Sequence, residues 1–134
     1  MRLIIVEDEP LLAICISDTV EAAGHEVVCC VPSADRALAC ARRTGADLAL
    51  VNISLHEGNT AGVELARSLG ALDIPVIFVS GQRADAMTGR EFALGYLPKP
   101  YSPEDVLQAI AVAEVVQQGG KPPPPPLPPG LELF

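Results

Sequence analysis

Short apolar runs recur along the chain, each followed by a stretch whose apolar positions return at the spacing of a helix. Leu3–Val6 is the first run. Glu7-Asp8-Glu9-Pro10 follows at once, acids ahead of a first-turn proline, which suits a helix start. Leu12, Cys15 or Ile16, Thr19 and Ala23 then predict a helix that Gly24 ends. A second strand is expected over Glu26–Val31. Ser33 is placed to cap a helix running to about Arg43, with Ala34, Ala37, Leu38 and Ala41 inward and Gly45 as its stop.

Asp47–Asn52 is apolar without alternation from Leu48 to Val51 and ends in a polar residue, the pattern of a strand covered on both faces. A loop, His56-Glu57-Gly58-Asn59, leads to a helix from about Thr60 to Leu69 with Val63, Ala66 and Leu69 on one stripe, stopped by Gly70. Ile74–Val79 is a fourth strand, able to carry Pro75 near its start and ending in Ser80-Gly81. From Gln82 to Arg90 the helical pattern is weak. Leu94–Leu97 predicts a short fifth strand. Ser102-Pro103-Glu104-Asp105 then offers a cap, a first-turn proline and an acid at the third position, opening a last helix with Leu107, Ile110, Ala111 and Glu114 to about Gln118.

Strands and helices alternating in this way call for βαβ units with right-handed crossovers. The expected fold class is α/β, a three-layer (βα)5 doubly wound parallel sheet in one domain, residues 1–118. Residues 119–134 are expected to be a Gly/Pro-rich tail. Gly119-Gly120 breaks the pattern, and Lys121–Pro129 can neither donate ladder bonds nor continue a helix, so disorder or polyproline II outside the core is predicted. The terminal Leu131-Glu132-Leu133-Phe134 is apolar enough to dock.

Composition narrows the function. The chain is 134 residues, 49% hydrophobic but only 4% aromatic, so its core must be aliphatic. Nine basic against seventeen acidic residues give a net charge of -8, which opposes attraction to nucleic acid or an anionic membrane. Cys15, Cys29, Cys30 and Cys40 form no C-x-x-C pair and lie in apolar segments, where thiols are expected to be reduced and buried. His25 and His56 have no metal-ligand spacing and read as surface turn residues. Met1–Val6 is too short for a signal peptide or a spanning helix, so a cytoplasmic location is expected.

In an open parallel sheet, ligands bind at the carboxyl ends of the strands. The residues following successive strands are Glu7 and Asp8, then Asn52, Ser80 and Lys99. Carboxylates gathered at one edge repel each other unless a hard cation lies between them, and Mg²⁺ favours oxygen ligands. A lysine and a serine hydroxyl beside them can clamp the oxygens of a transferring phosphoryl group, leaving catalysis to positioning and charge neutralisation.

This set, at this spacing, resembles the receiver domain of two-component response regulators over residues 1 to about 118. The resemblance implies a flavodoxin-like strand order, 2-1-3-4-5. It places Mg²⁺ on Glu7, Asp8, the side chain at position 52 and the backbone carbonyl of Ser54. It makes Asn52 the phospho-acceptor position, Ser80 the hydroxyl that senses the phosphoryl group and Lys99 the invariant lysine, joined to Pro100 by a cis peptide. Tyr96 matches the aromatic switch. Implied partners are a histidine kinase, a phosphotransfer protein or another receiver, met through a face of residues 83–118, and a homodimer is allowed. The implied role is bacterial signal transduction by protein contact rather than enzyme turnover.

Asn52 departs from the pattern. A carboxylate oxygen can attack phosphorus, whereas an amide oxygen carries no full charge and the amide nitrogen lone pair is delocalised. Its carbonyl remains a weak metal ligand, and its NH₂ can donate to a neighbouring carboxylate such as Asp8. Losing one negative charge among three should weaken Mg²⁺ binding. Three readings follow: a receiver that works without phosphorylation, an active Mg²⁺-dependent receiver whose aspartate has been replaced, or transfer to another residue such as Ser54 or His56. The first is carried forward. His56 also stands where many receivers have proline, which loosens the expected loop. A flavodoxin-like cofactor carrier would share the strand order, but Glu7-Asp8-Glu9-Pro10 would repel a flavin phosphate.

Overall fold

The computed structural model describes residues 1–53, 55, 60–81, 88–119 and 131–134. Its strands are β1 (Arg2–Val6), β2 (Glu26–Val31), β3 (Leu48–Asn52), β4 (Val76–Ser80), β5 (Gly95–Pro98) and β6 (Glu132–Leu133). Among the described residues the α-helices are α1 (Pro10–Ala22), α2 (Ala34–Thr44), α3 (Ala61–Gly70) and α4 (Pro103–Gln117), with a 3-10 turn at Arg90–Phe92. The sheet runs β2-β1-β3-β4-β5-β6. The first five strands pair in parallel and follow the expected order, whereas β6 lies antiparallel on β5.

Alternation along the strands builds the three layers, because successive side chains leave opposite faces of a pleated sheet. Ile4, Val6, Ala49, Val51, Val76, Phe78 and Tyr96 face α2 and α3, packing on Ala37, Ala41, Leu65 and Leu69. Leu3, Ile5, Leu48, Leu50, Ile77, Val79 and Leu97 face α1 and α4, packing on Ile16, Val20, Val106 and Ile110. The central strands β3 and β4 are buried from end to end, as expected for strands covered on both sides.

The caps follow the sequence closely. Ser33 accepts a hydrogen bond from the Arg36 amide, and Ser102 forms a full capping box with Asp105. Gly24 and Gly45 leave their helices at positive φ, 96° and 66°. Gly70 does not act as expected: it remains the last helical residue, and positive φ passes to Asp73 at 59°.

Helix phase needs correction in several places. In α1 the buried residues are Ala13, Ile16 and Val20, while Leu11 is 80% exposed. In α4 they are Val106, Ala109, Ile110, Val112 and Ala113, and the expected inner Ala111 is exposed. Both helices are apolar most of the way round, so several phases fit their sequences and packing on the sheet decides. In α3 the buried set is Gly62, Leu65, Ala66 and Leu69, with Val63 only partly covered.

The cysteines also differ from expectation. Cys15 and Cys30 are exposed, whereas Cys29 and Cys40 are paired as a disulfide between β2 and α2, Cα atoms 6.7 Å apart. A register shift explains the pairing. Leu3 pairs with Val27 and Ile4 with Cys29, so Val28 is the extra residue of a bulge. Cys29 thereby shares the α2 face with Val28, a place that strict alternation would have given to Cys30.

The last correction is at the C-terminus. Leu131–Phe134, placed in the tail but apolar enough to dock, belongs to the sheet: Leu131 is 6% exposed and β6 pairs with β5. The expected polyproline segment, 121–129, lies outside the described residues, as does the weak helical stretch at 82–87. Among the described residues, no helix is long and apolar enough to cross a membrane.

Candidate functional site

Two strand ends and two strand exits converge at the carboxyl edge of the sheet. Glu7 and Asp8 follow β1, Asn52 closes β3, Ser80 closes β4, and Lys99 follows β5. Parallel pairing in register brings them level, since Val6 lies beside Val51, Asn52 beside Val79, and Ser80 beside Pro98.

Glu7 is the hub. Its side chain is 2% exposed, and each carboxylate oxygen is engaged. Lys99 Nζ donates to Oε1 at 3.0 Å. Asn52 Nδ2 donates to Oε2 at 2.9 Å, and the Glu9 amide reaches the same oxygen at 3.3 Å. Burying a carboxylate this deep costs its hydration, which a counter-charge and hydrogen bonds offset, and the site supplies both. The second proton of the Asn52 amide goes to Asp8 Oδ1 at 3.2 Å, the contact expected from the sequence. Asn52 therefore works as a double donor bridging two acids.

Ser80 is fully buried, and its backbone carbonyl accepts from the Tyr96 hydroxyl at 2.9 Å and the Lys99 amide at 2.9 Å. Tyr96, 3% exposed, thus has its ring inside and its hydroxyl tied to β4. The Lys99–Pro100 peptide is cis, as the resemblance implied. Ser54 and His56 lie outside the described residues.

Two neighbours were missed in the sequence. Gly62, in the first turn of α3, sits on the end of β3. A Cβ there would meet Ile53 Cα at 2.7 Å and the Asn52 carbonyl oxygen at 3.0 Å, so only glycine lets the helix seat so close to the site. Its place in an ordinary helical pattern gave no signal. Tyr101 lies just past the cis peptide with its hydroxyl buried and unpartnered among the described residues. Burial, then the charges of Glu7 and Glu9, push its pKa above the phenol's usual 10.0. A pocket of about 460 Å³ lies elsewhere, between α3 and the turn at Arg90–Phe92.

A model of the response regulator receiver domain family matches residues 3–111. The chain belongs to that family. Curated relatives of this receiver include the transcriptional regulatory protein BaeR of Escherichia coli, 34% identical over 81% of this chain and 46% of its own length. The phyllosphere-induced regulator PhyR of Methylorubrum extorquens is 31% identical over 87% of the chain and 45% of its own. The receiver thus spans about half the length of the curated relatives it matches. Solved structures agree. A CheY-like receiver domain protein from Methanospirillum hungatei superposes with a TM-score of 0.76 at 25% identity, covering 89% of this chain and 98% of that one. The response regulator PhyR from Brucella abortus gives 0.76 at 33% identity, covering 88% and 49%.

Receivers generally bind Mg²⁺ at this edge. The described donor set does not suit it here. Glu7 spends both oxygens on Lys99, Asn52 and a backbone amide, one Asp8 oxygen is bonded to the same Asn52 amide, and no group of three or more His, Cys, Asp or Glu stands together among the described residues. An ammonium and an amide supply the positive density that a divalent cation would otherwise bring.

Proposed function

We propose that this receiver, residues 1–118, signals by protein contact within bacterial two-component phosphorelays, in the cytoplasm, and accepts no phosphoryl group at position 52. The observation that carries this reading is the Asn52 amide, buried and donating to Glu7 and Asp8. A group that spends both protons holding two carboxylates is neither a nucleophile nor a strong metal ligand. In this reading Glu7, Asp8 and Ser54 are vestiges of a Mg²⁺ site. Ser80 and Tyr96 hold one conformation instead of switching, and a histidine kinase, phosphotransfer protein or sister receiver reads the 83–118 face.

Incubation with acetyl phosphate and Mg²⁺, followed by intact mass, tests it. The mass is expected to stay unchanged, and an added phosphoryl group would sink the proposal.

A second reading, a competent acceptor disabled by a single Asp-to-Asn replacement, draws support from the rest of the cluster: Lys99 on Glu7 and Ser80 at the strand end. Asn52→Asp separates the two. Labelling of the restored chain favours a disabled site, and continued silence favours a receiver that has left the chemistry behind.

A further inference from the structure

We infer that the flank of β5 is a strand-accepting groove, and that its resident ligand is the chain's own C-terminal Leu131–Phe134, held in cis and releasable. A sheet that ended at β5 would present a row of unpaired backbone groups, a template for any extended peptide. Here β6 takes that place. Gly95 pairs with Leu133 and Tyr96 with Glu132, and the Phe134 amide donates to the Leu94 carbonyl at 2.9 Å.

The side chains grip both faces of the sheet. Leu131 and Leu133 join the layer of α1 and α4, while Phe134 packs with the layer of α2 and α3. The Arg90 guanidinium stands 6.0 Å from the Phe134 ring centroid, within cation–π range. Leu133 and Phe134 also close a cavity of about 190 Å³ lined by Ile77, Leu94, Ala109 and Val116.

The groove is shaped for a backbone. A Cβ on Gly95 would lie 2.5 Å from the Glu132 carbonyl oxygen, so the strand can approach only because this position has no side chain. The ligand class is an extended peptide of pattern Leu-acid-Leu-Phe. With only two residues in the ladder, the tail belongs to the low-stability end of the fold and can leave without unfolding the core. Release would uncover β5 in the middle of the 83–118 face. That consequence alone rests on the proposed function, and peptide capture does not.

The test uses the full chain. Hydrogen exchange at the Phe134 amide is expected to be about tenfold slower than in a free peptide, at every protein concentration, and faster than in β3. The double substitution Leu131→Asp with Phe134→Asp should free the tail. That variant, checked for a native circular dichroism spectrum, should bind a fluorescent Pro-Gly-Leu-Glu-Leu-Phe peptide about tenfold more tightly than the parent. Adding Gly95→Val should abolish the gain. Peptide-like exchange at Phe134, equal peptide binding by parent and variant, or protection that rises with concentration would overturn the inference, the last by showing the tail seated in a second copy.

Discussion

β5 contributes to two different kinds of contact. Beyond its carboxyl end Lys99 reaches a cluster assembled from opposite charges, three hydrogen bonds on one buried glutamate. Along its flank the tail is held by backbone pairing and by the lack of a side chain at Gly95. The first contact depends on which functional groups are present and tolerates little chemical change. The second depends on shape and tolerates many side chains except where one would intrude. If the proposed function holds, such a receiver can keep the first as a fixed brace and use the second as the part that moves.

The strongest way to break this contrast is Lys99→Met. Glu7 would then sit buried with its cation gone, a loss of about 3 kcal/mol in chemical denaturation after allowance for the partly exposed lysine. A cost near zero would mean that the cluster braces nothing. Next comes Asn52→Asp, which replaces a double donor with a third carboxylate. In EDTA it should cost about 2 kcal/mol, and millimolar Mg²⁺ should restore most of that. The parent's melting temperature should not respond to Mg²⁺, and an equal response in both proteins would contradict the donor-set argument.

On the flank, Leu131→Ala should cost about 1 kcal/mol, because the tail can undock rather than leave a cavity. The loss should appear as faster exchange at Phe134 while β3 is unchanged. The smallest effect is expected from Tyr101→Phe, within about 0.5 kcal/mol of the parent near neutrality, since it removes a hydroxyl without a described partner. A phenol whose folded pKa is raised keeps its stabilising contribution below the unfolded value and loses it as pH climbs past 10.0. Melting temperature against pH should therefore fall on the alkaline side in the parent and fall less in the variant.

The same contrast explains what could be read from the chain beforehand. The convergence of Glu7, Asp8, Asn52, Ser80 and Lys99 was legible because residue type and strand-end position are both written in sequence, while the strand order came from the resemblance to receiver domains. The Asn52 contact to Asp8 was foreseen, but the stronger one to Glu7 was not, since the depth of Glu7 follows from packing. The bulge at Val28 was invisible, and with it the facing of Cys29 toward Cys40: one extra residue reverses which neighbour turns inward. β6 was hidden for another reason. Two residues after a proline run carry almost no strand signal, and their partner at Gly95 looks like an ordinary glycine until another backbone lies against it.

The pair that closes the site spans nearly the whole receiver. Glu7 and Lys99 are separated by 92 positions, and Glu7 and Asn52 by 45. Closing loops of that length is entropically unfavourable before any contact is made, so these bonds are expected to form only once β3 and β4 bridge β1 to β5. A chain without Lys99 leaves Glu7 without its cation, so burial of that strand end is expected to be less favourable until β5 is in place. The polar edge thus ties together parts of the chain that are far apart in sequence, and a fragment ending before β5 is expected to be less stable than the whole receiver.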